Sequence, residues 1–342
     1  MSVTMRFPFP SAPLQREVVE VAAGVFWTRL ALPYRLNHVN VYLIEDGPEW
    51  TLVDAGVDSP ATRADWNNII GTVLASRPVT RVLVTHFHPD HMGSAGWLCR
   101  TLGAPLLMTR GEYAMSRSMH ATPRREISAL YRALYRTNGL EEECVSKLLS
   151  SGHDYISNVG APPEEFTPIA AGDVLQIGGR AFRVLTGGGH APEQAMLYQP
   201  DEGFLICADQ VLARISPNVS VLAVEPHGDP LRVYLKSLQE LGGQVPEGVL
   251  ALPGHDLPFY GLHSRIDELR RHHETRCAMI EDACHQRPMT ATELVPFVFG
   301  RQFGYQQLGF AITETLAHVN MLLGEQRLTQ EAGSHHAVFR TV

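Results

Sequence analysis

The chain contains no run of eighteen apolar residues, so no transmembrane helix is expected. Its first eight residues, Met1-Ser2-Val3-Thr4-Met5-Arg6-Phe7-Pro8, lack a basic stretch leading into an apolar one, which argues against a secretory signal. The five cysteines (Cys99, Cys144, Cys207, Cys277 and Cys284) are odd in number and form no CxxC pair. A disulfide framework is therefore disfavoured, and free thiols in a reducing cytoplasm are the expectation. Excess positive charge is missing too: a net charge of −8 gives no electrostatic case for nucleic acid or an anionic membrane. What remains is an ordinary globular composition, 44% hydrophobic with a mean hydropathy of −0.07. Its 342 residues suffice for one large α/β domain and a small satellite.

Against that background one segment is unusually dense. His86-Phe87-His88-Pro89-Asp90-His91 follows the β-type run Val82-Leu83-Val84-Thr85 and precedes a helix expected from Ser94. A strand ending there sends His86 and His88 to one side, and the turn that follows aims Asp90 and His91 at a second point nearby. Imidazole and carboxylate are ligands for Zn²⁺ and similar first-row cations, and two such ions a few Å apart can hold a hydroxide at neutral pH.

Two ions need more ligands than one loop supplies. Three further strands each end in a candidate. Phe182–Thr186 runs into Gly187-Gly188-Gly189-His190, where glycines let the backbone turn sharply. Phe204–Ala208 ends at Asp209, and Val249–Pro253 ends at Gly254-His255. Taken singly, Asp209 could be a helix cap, and His190 and His255 surface histidines. Other histidines, among them His38, His120, His153, His227, His272, His273, His335 and His336, carry no such pattern and read as structural or solvated.

The ordered set Asp54 (in Leu52-Val53-Asp54-Ala55-Gly56), His86/His88/Asp90/His91, His190, Asp209 and His255 resembles the metallo-β-lactamase superfamily, in the branch that includes glyoxalase II. The resemblance spans about residues 15–260, with the five superfamily motifs in order. It implies a four-layer αββα sandwich and two divalent metal ions, Zn²⁺ first, with Fe or Mn as alternatives. His86, His88 and His190 would hold one ion and Asp90, His91 and His255 the other. Asp209 would bridge, and Asp54 would accept a hydrogen bond that orients a ligand. The implied activity is hydrolysis of a small-molecule carboxylic ester or thioester by a metal-bridging hydroxide, with Asp90 or Asp209 handling the proton. His88 stands where flavodiiron proteins carry glutamate, and Asp209 where one β-lactamase class carries cysteine, so both are disfavoured. Lactone or phosphodiester hydrolysis and a mononuclear-iron sulfur dioxygenase stay open.

Residues 109–165 break the alternation of strand and helix with three helical stretches, Glu112–Met119, Arg124–Asn138 and Glu141–Leu149. They read as a helical insert over the active site. Arg125, Arg132 and Arg136 share one face there and could meet an anionic substrate tail of coenzyme A or glutathione type. The catalytic domain is expected over 1–262. Residues 263–342 read as a small helical domain closed by a hairpin through Gly333, similar to a winged helix. Duplex DNA is not its expected partner: residues 263–342 hold eight arginines and no lysine against nine acids, and the helix Gly309–Leu323 has no basic residue. The apolar stripe of that helix (Phe310, Ile312, Leu316, Val319, Leu323) suggests internal packing with a surplus available to a homodimer.

Overall fold

The computed structural model describes residues 5–75, 77–150, 155, 157–300, 303–332 and 336–342. By internal contacts the chain forms two compact units. The first comprises Met1–Ala121, Tyr155–Pro217 and Leu238–Ile266; the second comprises Thr122–Asp154, Asn218–Ser237 and Asp267–Val342.

Two sheets build the first unit. One has seven strands in chain order: β1 Val19–Ala22, β2 Val25–Ala31, β3 His38–Asp46, β4 Glu49–Val53, β5 Val79–Leu83, β6 Leu106–Thr109 and β7 Thr167–Ile169. Strands β1 to β4 pair antiparallel, and β4 to β7 pair parallel. Parallel neighbours need crossovers. Helix α1 (Pro60–Thr72) supplies the first, and the short turn α2 (Pro89–Met92) with α3 (Ala95–Leu102) the second. Ser59 fixes the start of α1 by accepting the Thr62 N–H at 3.1 Å, with Pro60 in the first turn. Helix α4 (Arg110–Ala121) follows β6.

The other sheet is ordered β12-β11-β10-β9-β8, from β8 Val174–Ile177, β9 Arg180–Gly187, β10 Gln194–Gln199, β11 Phe204–Ala208 and β12 Leu250–Pro253. Only β11 and β12 run parallel, with α7 (Pro230–Gln244) lying between them in sequence.

The period of two in each strand sorts side chains into two layers. Trp27, Tyr42, Ile44, Val53 and Leu83 join Phe182, Val184, Leu197, Ile206 and Leu252 in the core between the sheets. Leu30, Val41, Leu43, Leu52, Val82 and Val84 pack with Trp66, Ile69 and Leu98 of α1 and α3 in a second core. Strands buried on both faces read as unbroken apolar runs, as Val82-Leu83-Val84 does. Leu205, Cys207 and Ala251, on the far face of the second sheet, are also fully buried. The arrangement is the expected mixed α/β sandwich.

The second unit contains α5 (Arg124–Thr137), α6 (Glu142–Ser150), most of α8 (Leu262–Gln286), α9 (Ala291–Phe299), α10 (Tyr305–Gly324) and the antiparallel pair β13 (Leu328–Ala332) and β14 (Ala337–Thr341). Thr290 and Glu293 form the capping box that the sequence predicts at the start of α9. The turn between α5 and α6 lies against this cap, because the Asn138 carbonyl accepts from both Thr292 N and Thr292 Oγ1. Gly139 turns there at φ 95°, and a Cβ would stand 2.5 Å from Thr290 Oγ1. Helices α5 and α6, read from sequence as part of an insert in the catalytic domain, thus group with the C-terminal helices. On α10, Ile312, Leu316 and Val319 are buried while Phe310 is 56% exposed. Gly333 and residues 1–4 lie outside the described residues, and among the described residues no helix is long and apolar enough to cross a membrane.

Candidate metal centre

The candidate residues stand at the carboxyl ends of strands in the first unit. His86 follows β5 by three residues, because that strand closes at Leu83 rather than running to Thr85. His88 is the residue before α2, Pro89 opens the turn, and Asp90 and His91 lie within it. His190 follows β9, Asp209 ends β11, and His255 lies just beyond β12.

Their donor atoms converge. His86, His88 and His190 form one cluster of possible ligands, Asp90, His91 and His255 a second, and His86, His91 and Asp209 a third between them. His190 Nε2 lies 3.0 Å from His88 Nδ1 and 3.3 Å from His86 Nε2. His255 Nε2 is 3.3 Å from Asp90 Oδ2. Asp209 touches both groups: Oδ2 is 3.5 Å from His190 Nε2 and 3.2 Å from His255 Nε2, and Oδ1 is 3.5 Å from His91 Nε2. This is the intermediate position that a shared carboxylate needs.

Hydrogen bonds on the outer side of the rings decide which nitrogen keeps a lone pair. The His91 Nδ1–H donates to Asp54 Oδ2 at 2.8 Å. Asp54 also accepts from Thr85 N and Thr85 Oγ1, at 2.8 and 3.0 Å. With its own proton committed to Asp54, Thr85 Oγ1 accepts from His86 Nδ1 at 3.0 Å. The His255 Nδ1–H donates to the His38 carbonyl at 2.8 Å. In all three rings Nε2 is left facing the cluster.

Burial and charge act in opposite directions across the site. Burial pushes the His86 and His88 imidazoles down, His88 to about 3, with neighbouring histidines adding to it. Burial opposes charge on His91 and His255 as well, but carboxylates outweigh it. Asp54, Asp209 and Asp90 raise His91 well above its usual range, and Asp209 with Asp90 takes His255 to about 10. Asp209 is held well below the usual carboxylate range: His255 and His91 overcome the burial that opposes its charge.

Two buried atoms carry the test of whether these residues suit a metal. His91 Nε2 and Asp209 Oδ1 have no hydrogen-bond partner. A buried lone pair left unmatched is costly, and a cation satisfies both at once. The backbone leaves room as well, for a Cβ on Gly254 would stand 2.2 Å from Asp209 Oδ1 and 2.9 Å from His91 Cε1. Five imidazoles and two carboxylates, with no thiolate, fit divalent zinc, iron or manganese.

Several residues that hold this site carry no sequence signal. His38, read as structural or solvated, supports the His255 loop twice: through its carbonyl, and through Nε2, which accepts Asp256 N at 2.9 Å. Asn40 Nδ2 donates to the Pro253 and Asp256 carbonyls at 2.8 and 3.0 Å. Asp54 and Asp256 both adopt left-handed backbone, φ 67° and 68°, a strained conformation these contacts sustain. Thr85 would have been visible only as a polar residue at the end of an apolar strand.

The α5 arginines lie in the second unit. Arg132 pairs with Glu142, and Arg136 donates to the Leu140 carbonyl at 3.0 Å and faces Glu141 at 3.6 Å. Arg125 is exposed and lines, with Arg132, Arg136 and Glu142, an open groove of about 460 Å³. Of the other histidines, His273 and His318 are buried against each other in the second unit, and His153 and His335 lie outside the described residues.

Comparison with known proteins finds one family over most of the chain. The family described as "Metallo-beta-lactamase superfamily" matches residues 34–255, and "Metallo-beta-lactamase-like, C-terminal domain" matches 277–341. A crystallised beta-lactamase domain protein from Burkholderia ambifaria is 38% identical, covering 99% of this chain and 98% of its own, with a TM-score of 0.91. A metallo-beta-lactamase family protein from Thermus thermophilus is 29% identical over 94% of this chain and 100% of its own, with a TM-score of 0.80. A Passalora fulva protein named atrochrysone carboxyl ACP thioesterase is 35% identical over 69 residues, 20% of each chain.

Proposed function

The chain belongs to the metallo-beta-lactamase superfamily, and from that membership we propose a metal-dependent hydrolase of the glyoxalase II-like branch, acting on a carboxylic thioester or ester. The observation that carries the reading is the convergence of seven donor residues on two adjacent points, with His91 Nε2 and Asp209 Oδ1 buried and unmatched. His86, His88 and His190 would hold one ion, Asp90, His91 and His255 the other, and Asp209 both. Zn²⁺ is the metal proposed, with Fe or Mn as alternatives. Bound there, two divalent cations supply Lewis acidity toward a carbonyl and acidify water near neutral pH.

The protein's own groups do the rest. Asp209, its side chain 7% exposed and facing three imidazoles, compensates charge and fixes spacing. Asp90 is more open, at 19%, and meets His255 and His91 through Oδ2 alone, at 3.3 and 3.8 Å. It is the carboxylate able to take a proton from attacking water and return it to the leaving group. Asp54 and the His38 carbonyl keep the rings of His91 and His255 from turning away.

The local likeness to a thioesterase supports thioester over other acyl substrates. An anionic tail is favoured by charge alone. Arg125, Arg132 and Arg136 line one groove of the second unit, where Arg132 and Arg136 already have carboxylate neighbours in Glu142 and Glu141. Elemental analysis of the purified protein, paired with a screen of thioesters, esters, lactones and phosphodiesters, tests the reading. Two zinc ions with thioester or ester turnover are expected. One iron with oxygen uptake, or turnover confined to phosphodiesters, overturns it.

A further inference from the structure

Glu112 is fully buried at the third position of α4, and none of the metal clusters includes it. Its two carboxylate oxygens accept from two different ligand loops. Oε2 takes the Phe87 N–H at 2.9 Å, and Phe87 is the residue between His86 and His88. Oε1 takes the Glu193 N–H at 2.6 Å, three residues beyond His190. We infer that Glu112 is a positioning residue that sets the spacing between the His86/His88 loop and the His190 loop, and so tunes one of the two metal positions selectively.

The surroundings make this clamp stiff. Glu193 returns the contact, its Oε2 accepting Gly111 N at 3.0 Å while its carbonyl accepts Thr109 Oγ1 at 2.8 Å. The Phe87 peptide is gripped on its other side as well, where its carbonyl accepts from Tyr155 Oη at 2.8 Å. Thr85, two residues beyond β5, and Ala195 of β10 are joined directly: the Thr85 carbonyl accepts Ala195 N at 2.8 Å. Among the described residues Glu112 makes no bond to the loop of His255, which Asn40 and His38 hold instead. Loosening Glu112 therefore disturbs the position of His86, His88 and His190 and spares that of Asp90, His91 and His255.

The inference rests on the metal reading above, and its test separates the two. Zinc affinity is measured by competition with a chromophoric chelator, and the cobalt-substituted protein by its visible spectrum. His88→Ala and His255→Ala proteins identify which step belongs to which position. In Glu112→Gln the amide still accepts one N–H but presents hydrogens to the other. Affinity at the His86/His88/His190 position should fall by about 10–100-fold, as when a ligand's outer partner is lost, with an altered cobalt spectrum and the other position nearly unchanged. Equal weakening of both positions, or of neither, overturns the role. Should Glu112→Gln fail to fold, Glu193→Ala removes the return bond while keeping Glu112, and roughly threefold weakening at the same position is expected; no change there overturns the role equally. A wild-type protein that binds no metal contradicts the proposed function. Two bound ions beside an indifferent Glu112→Gln contradict only the role of Glu112.

Discussion

Two groups of buried histidines, one in each unit, show what turns burial into a site. In the second unit the His273 Nδ1–H donates to His318 Nε2 at 3.1 Å, and the His318 Nδ1–H donates to the Glu314 carbonyl at 2.8 Å. Burial pushes both imidazoles down, His273 to about 2 and His318 to about 3. The carboxylate in that neighbourhood, Glu314, is claimed by Arg276. His86, His91 and His255 of the first unit are likewise buried, but Asp54, Asp90 and Asp209 surround them, and their outer nitrogens are tied to Thr85, Asp54 and the His38 carbonyl. The second pair bonds to itself and to a helix and leaves one buried nitrogen, His273 Nε2, unmatched, whereas the first set brings several donor atoms to a common target. Like residues at like burial thus serve packing in one unit and ligand presentation in the other.

Substitution can break that contrast. The largest effect is expected from Asp209→Ala, which removes the carboxylate shared by both positions. Both ions should be lost or loosened, and turnover should fall by about 10³-fold or more, the scale on which a carboxylate central to catalysis acts. His318→Ala should leave metal content unchanged. Equal metal content in the Asp209→Ala and wild-type proteins would erase the distinction. Next is Asp54→Ala, which frees the His91 ring and unsettles His86 through Thr85. Metal affinity should drop by about 10–100-fold with the fold retained, read by chelator competition and circular dichroism.

The histidine pair of the second unit predicts a pH effect of definite sign. Both groups titrate near 6.5 when unfolded and far lower when folded. The unfolded chain therefore takes up protons that the folded one refuses. The stabilisation is whole above about pH 6.5 and drains away as pH falls toward the folded values. Protection factors of amides in α8 and α10, which take out the intrinsic pH dependence of exchange, should fall over that window, and a His273→Leu/His318→Leu protein should lose the dependence. Protection factors that stay flat from pH 7 to 4 would show that these imidazoles are not neutral and buried. The smallest effect belongs to the α5 arginines. An Arg125→Ala/Arg132→Ala/Arg136→Ala protein should show a rise in KM of up to about tenfold for anionic substrates, the loss of one charge-assisted contact, and little change for neutral ones. Equal shifts for both classes would make the arginines a solvated, self-paired face.

The contrast also explains what the sequence made legible. Residues that act through local spacing were readable: the His86–His91 segment, the strand ends at His190, Asp209 and His255, and the Thr290–Glu293 cap. Helix α10 was legible from its apolar stripe, though it begins at Tyr305 rather than Gly309. Strand β10 was not, because it is buried on both faces and carries glutamines at both ends. Gln194 is kept there by polar work of its own, its Oε1 accepting Asp209 N at 3.3 Å. The four-residue β6 is too short to show a period. Glu112, His38 and Asn40 were illegible for another reason. Each acts on a loop distant in sequence, Glu112 on Phe87 and Glu193, His38 and Asn40 on residues beyond 250, and no local pattern encodes such a partner. Sequence displays the groups that would hold a metal; the groups that aim them emerge only from the fold.

The most direct test is anomalous diffraction at the zinc edge from crystals of the zinc-loaded protein. The account predicts two peaks, one flanked by His86, His88 and His190, the other by Asp90, His91 and His255, with Asp209 between them, and none at His273 and His318. A single peak, an empty first unit, or a peak at the histidine pair of the second unit would contradict it.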